Sequence, residues 1–130
     1  MKNTIIKIVA LALIAVMACV LLVACAPASD PDKAIEALKD NGYDAAEDKL
    51  LIPGALKLLG VKDIDCVVAG TKEGEAITII YFADKDAAET AWEKVSEYAE
   101  DQNDDESDWV VDKSGAMIYF GTKQAVKDAR

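Results

Sequence analysis

Two short stretches govern what this chain can become. Ala76 to Phe82 places Ile77, Ile79 and Tyr81 on one face of a strand and Thr78, Ile80 and Phe82 on the other. Ala116 to Phe120 sets Met117 and Tyr119 against Ile118 and Phe120 in the same way. An antiparallel strand with one face in water alternates apolar with polar residues. These two are apolar on both faces. Such a sheet has to be covered twice, and the second cover comes from leading helices, from another copy of the chain or from a ligand.

Each stretch has a partner and a successor. Cys66 to Ala69 pairs with Ala76 to Phe82 across the turn Gly70-Thr71-Lys72-Glu73-Gly74, and Trp109-Val110-Val111 pairs with Ala116 to Phe120 around Asp112-Lys113-Ser114-Gly115. After the first hairpin Asp84 can cap a long helix. Its residues Ala88, Ala91, Trp92, Val95, Tyr98 and Ala99 recur at helical spacing on one face. After the second, Thr122 can cap a short helix over Lys123 to Ala129. Tyr81-Phe82-Ala83-Asp84-Lys85-Asp86-Ala87 aligns without a gap on Tyr119-Phe120-Gly121-Thr122-Lys123-Gln124-Ala125. Either one strand-strand-helix unit is used twice, or two hairpins hand over to helices by the same local chemistry.

Ahead of this lie Pro31 to Leu38, a helix capped by Asp30 and stopped by Asn41-Gly42, and Pro53 to Gly60, a shorter one. Tyr43 to Lys49 reads equally as strand or loop. The expected fold is α+β, ββαββα with one or two leading helices. Its antiparallel sheet has about four strands, with both repeat helices on one face and the leading helices on the other. Ile35, Leu38, Leu50, Leu51, Ile52, Leu56, Leu58 and Leu59 are the apolar residues available for that second cover.

The first 25 residues have a different character. Lys2 and Lys7 precede a wholly apolar run from Ile8 to Ala26, and Ser29-Asp30-Pro31-Asp32 follows. A basic start, an apolar middle and a small-residue exit form a secretory signal. The run is also nearly long enough for an uncleaved spanning helix. At its exit stand Leu22-Val23-Ala24-Cys25. This resembles the lipobox of bacterial lipoproteins. The resemblance implies a diacylglyceryl thioether on the Cys25 thiol and cleavage between Ala24 and Cys25, where a small side chain is needed. Cys19, after Val16-Met17-Ala18, is a poorer copy. The expected organisation is a signal peptide over 1–24, a lipidated Cys25 with a short tether to residue 30, and one domain over 31–130. Whether cleaved or not, the basic start keeps the domain outside the cytoplasmic membrane.

Two of the 14 bases, Lys2 and Lys7, precede Cys25 and all 24 acids follow it, so the chain from Cys25 onward carries a formal charge of −12. That balance argues against nucleic acid, which takes clustered Lys and Arg. It also argues against electrostatic adhesion to anionic lipid, which leaves the anchoring to the acyl chains. With Cys19 removed and Cys25 acylated, Cys66 has no partner for a disulfide. Its strand context, Ile64-Asp65-Cys66-Val67-Val68, reads as core.

Catalytic chemistry has little to work with. There is no histidine, the commonest general base near neutral pH. Ser29, Ser96, Ser107 and Ser114 lack a nucleophile context, no phosphate loop is present, and the one arginine is Arg130. Asp101, Asn103 and Asp105 match the first three ligand positions of an EF-hand calcium loop. Glu106 then replaces the turn glycine, and Asp112 stands where the bidentate glutamate belongs. Only a weak divalent-cation site is compatible with that pattern, and no cofactor is expected. Trp109, beside the acidic run, is the candidate contact for a small-molecule or protein partner. The expectation is a lipid-anchored, non-enzymatic binding or accessory domain of acidic charge. The alternatives are a homodimer through an apolar sheet face and a hydrolase using paired carboxylates.

Overall fold

A computed structural model describes residues 26–103 and 108–130. Cys25 and the rest of the N-terminal segment lie outside the described residues, as does Asp105. The elements run α1 (Pro31–Asp40), β1 (Asp44–Glu47), α2 (Leu51–Leu58), β2 (Ile64–Lys72), β3 (Glu75–Phe82), α3 (Lys85–Asp101), β4 (Trp109–Ser114), β5 (Met117–Thr122) and α4 (Lys123–Asp128). The fold is α+β, with an antiparallel sheet in the order β1-β2-β3-β5-β4. The fifth strand, β1, forms from the ambiguous Tyr43 to Lys49 stretch. It pairs along β2 from Asp44 opposite Thr71 to Glu47 opposite Val68.

Local chemistry sets the helix ends. The Asp30 carboxylate accepts from the Asp32 amide at 2.9 Å, and Asp84 from Ala87 at 2.8 Å. Both are N-caps that satisfy otherwise unpaired amides. α1 stops as expected at Asn41-Gly42, where the Tyr43 amide donates to Leu38 at 2.9 Å. α2 begins two residues before Pro53, because Asp48 caps it from the strand side. Its carboxylate accepts from Leu50, Leu51 and Ile52 at 3.0, 2.9 and 3.1 Å. Burial pushes the Asp48 carboxyl up, but the amides of Ile52, Leu50 and Leu51 outweigh it and hold it below the usual value. Thr122 precedes α4 without capping it. Its hydroxyl instead donates to the Glu75 carboxylate across the sheet.

Every residue from Ile77 to Phe82 is buried, and so is every one from Met117 to Thr122. Two cores result, one per face. Ile77, Ile79, Tyr81, Met117 and Tyr119 pack with Ala34 and Leu38 of α1 and with Ala125 and Val126 of α4. Ile80, Phe82, Ile118 and Phe120 pack with Leu56 of α2 and with Ala88, Ala91, Val95 and Ala99 of α3. The expectation that both repeat helices share one face is therefore corrected. Each face takes one leading helix and one repeat helix.

The strands explain why the repeat looked regular. Ile80 pairs with its own equivalent Ile118, flanked symmetrically by Ile79 opposite Tyr119 and Tyr81 opposite Met117. The inner strands thus obey a local two-fold axis normal to the sheet, which would keep both helices on one face. The exits break it. The first strand ends at Phe82 and turns through Ala83, whereas β5 continues through Gly121 and Thr122, with Gly121 opposite Ile77. A Cβ at Gly121 would meet the Ala76 carbonyl oxygen and stand 2.7 Å from the Ile77 Cα. No alanine fits that path, so the second exit leaves on a course closed to the first. A bulge does similar work in β2. Ile64 pairs with Phe82 and Cys66 with Tyr81, leaving Asp65 extra. Ile64 and Cys66 consequently join opposite cores.

Candidate functional site

Three places on the molecule carry the residues on which function could rest. The first is where the N-terminal segment enters the fold. Ala26 and Ala28 pack on the core shared by α1 and α4. The Ala28 amide donates to the Ala129 carbonyl at 2.8 Å, and the Tyr81 hydroxyl donates to the Ala28 carbonyl at 2.7 Å. The Tyr43 hydroxyl donates to Asp128 at 2.8 Å, and Lys72 lies 5.1 Å from the centre of the Tyr43 ring. Burial, then the hydrogen-bonded Asp128 carboxylate, pushes the Tyr43 phenol well above its ordinary range, and burial likewise raises Tyr81. Both stay neutral donors at any physiological pH. Ala26 and Ala28, expected as part of the short tether, thus pack on the fold, and Asp30 caps α1.

Beside this entry a cleft is lined by Ala26, Pro27, Asp65, Tyr81, Ser114 and Met117. Cys66 neighbours Tyr81 in the sheet and is half-buried instead of fully enclosed. Burial, followed by the carboxylates of Glu47, Asp65 and Asp32, pushes its thiol up to about 11. The thiolate that would make it a nucleophile is therefore scarce near neutral pH.

The second place is the acidic run. Asp101 is the last, exposed residue of α3, and the Asn103 amide donates to Glu100 at 3.2 Å. Asp112 lies in β4 opposite Tyr119, and its carboxylate accepts from the Lys113 amide at 2.8 Å. An EF-hand loop leads into a helix; here the chain leads into a strand. Among the described residues no three acids, cysteines or histidines gather as a metal site. Calorimetric titration of the protein with calcium is expected to show no micromolar binding, and micromolar heat lost in Asp105→Ala would reverse this.

Trp109 is half-buried. Its ring stands 6.1 Å from that of Phe120, and its Nε1 donates to the Ala99 carbonyl at 3.2 Å, tying β4 to the end of α3. This places Trp109 in the packing between helix and sheet, with its one donor already used. Trp92 is partly buried on the same core, with Lys113 5.3 Å from its ring centre.

The third place was not foreseen. Leu50 and Leu51 are 81% exposed, Leu58 90% and Leu59 45%. These four had been expected to cover the sheet. Leu56 alone of that helix is fully buried, with Ile52 packed beside it. An apolar residue stands on every side of this short helix, so geometry forbids all of them the same core. That all-round pattern was the available signal.

A further cleft, between the loop after α2 and the start of α3, mixes Lys62 and Lys94 with Asp63, Asp84 and Asp86. It holds both signs of charge. Among the described residues no helix is long and apolar enough to cross a membrane. Comparisons with protein-family models, with curated proteins and with solved structures give no match to this chain.

Proposed function

We propose that the chain is the precursor of a lipid-anchored protein whose small α+β domain works outside the cytoplasmic membrane as a non-enzymatic binding or accessory module. The observation that carries this reading is Leu22-Val23-Ala24-Cys25, followed directly by a segment that docks on the fold from Ala26. Lipid on Cys25 would hold the domain against the bilayer with almost no slack. The non-enzymatic part rests on the lack of histidine in the sequence, the raised Cys66 thiol and the commitment of Trp109 to packing.

The sheet faces are both covered by the chain's own helices. A homodimer through an open sheet face would need one of these helices displaced. A carboxylate hydrolase would need two buried acids facing each other. Among the described residues the buried polar side chains are Thr78 and Thr122.

Mass spectrometry of the membrane fraction tests the proposal. A mature N-terminus at Cys25 carrying diacylglycerol is expected, with the modification and membrane retention lost in Cys25→Ala. An unprocessed N-terminus, or a mass unchanged by that substitution, would overturn it.

A further inference from the structure

All the exposed large hydrophobic side chains among the described residues fall between Leu50 and Leu59. They bracket α2, where Leu51, Gly54 and Leu58 follow one another on one side at helical spacing. The surrounding stretch Lys49 to Lys62 contains three lysines, Lys49, Lys57 and Lys62, and no acid, in a chain of otherwise acidic balance. A helix with leucines outward and lysines at its ends has the makeup of one that lies in a membrane–water interface. There the apolar side chains enter the acyl boundary and the lysine stems reach back to the headgroups.

Ala26, beyond which the lipid-bearing segment lies, lines a cleft with Asp65, Phe82 and Ala116. That is the end of the sheet where β2 and β5 begin and β3 finishes. The loop leaving α2 returns to the same end, where the Asp63 carbonyl accepts from the Ala83 amide at 2.9 Å. The loop after α2 and the entry of the N-terminal segment thus meet at one end of the sheet but on opposite faces of it, while Leu59 lies beside Glu97, Tyr98 and Asp101 of α3.

We propose that α2 docks on the surface of the membrane that carries the anchor, with Leu50, Leu51, Leu58 and Leu59 as its contact residues. The inference rests on the lipoprotein reading only for the choice of membrane. A bilayer suits this patch better than a second copy does. Two domains of formal charge −12 repel one another. An eight-residue helix is about 12 Å long, small beside the roughly 800 Å² per partner of a stable interface. Asp48 at the start of α2 and Glu97 and Asp101 beside Leu59 offset the lysines, so the attraction to the bilayer comes from the apolar side chains.

The test uses the membrane-purified full chain, reconstituted in phosphatidylethanolamine–phosphatidylglycerol vesicles that contain brominated lipid. Leu51→Trp and Leu58→Trp each add one fluorophore to the background of Trp92 and Trp109. Glu73→Trp, in the turn between β2 and β3 at the opposite end of the sheet, is the control. Brominated lipid is expected to quench about half or more of the emission added at Leu51 and Leu58, the depth of an interfacial helix, and little of that added at Glu73. Equal quenching at all three positions, or none at Leu51 and Leu58, would overturn the proposal. So would a detergent-stable dimer that Leu51→Asp with Leu58→Asp converts to monomer, which would assign the patch to a second copy. The intact mass of the same preparation reports Cys25 separately. An uncleaved precursor still brings the domain to the vesicle through its apolar segment, so the failure of the anchor and the failure of the helix give different results.

Discussion

Gly121→Ala is expected to cost about 3 kcal/mol of folding stability, at the upper end of what overpacking usually does. The added Cβ would meet the Ala76 carbonyl and the Ile77 Cα, at 2.7 Å from the latter. Both belong to the backbone of the central strand β3, whose flanks are hydrogen-bonded to β2 and β5. A flexible side chain could swing aside, but a paired backbone has nowhere to go. For a domain whose whole stability is of the order of 5–15 kcal/mol, the loss should appear as a fall of roughly 10 °C or more in Tm. Urea unfolding with an unchanged slope would show that the native state, not the denatured one, carries the effect. Gly54→Ala is the matched control. That glycine lies inside α2 with open space where a Cβ would go. Filling it should raise stability by about 0.5–1 kcal/mol. If Gly121→Ala proved as mild as Gly54→Ala, the divergent exit from β5 would need another explanation.

Leu56→Ala should cost about 2–5 kcal/mol, the range for a buried leucine cut back to alanine. Leu58→Ala, two residues along the same helix, should change stability by no more than about 0.5 kcal/mol. Leu56 is 0% exposed and packs with Val61, Val67 and Val95, while Leu58 is 90% exposed. Residues two apart on a helix point to nearly opposite sides, so one helix supplies both a core residue and its own control. Denaturant midpoints of the two variants decide the matter. Equal losses would mean that Leu58 is covered in solution, and the interfacial role of α2 would lose its motive. Membrane association should respond in the reverse order, weakened by Leu58→Ala and indifferent to Leu56→Ala wherever that variant remains folded.

The sequence alone determined a good deal here, wherever the cause is local. The hairpins, the long helix after Asp84, and the stops at Asn41-Gly42 and Gly60 follow from spacing, caps and turn residues within a few positions of one another. The two-sided burial of Ile77 to Phe82 was equally legible, since a strand apolar on both faces has no stable way to face water. The resemblance of Leu22-Val23-Ala24-Cys25 to a lipobox rests on the sequence alone. Tertiary structure decided whatever depends on partners far along the chain. Gly70 and Ala69 offered an edge that turned the ambiguous Ala45 and Ala46 into a fifth strand. The approach of Gly121 to β3 sent α4 to the face opposite α3, although the local chemistry before both helices is alike. The same holds for the leucines of α2. Hydrophobicity states that each is better off out of water. The space left beside β2 and α3 admits Leu56 and Ile52 and leaves Leu50, Leu51, Leu58 and Leu59 outside, because a helix has more sides than the core has room to touch.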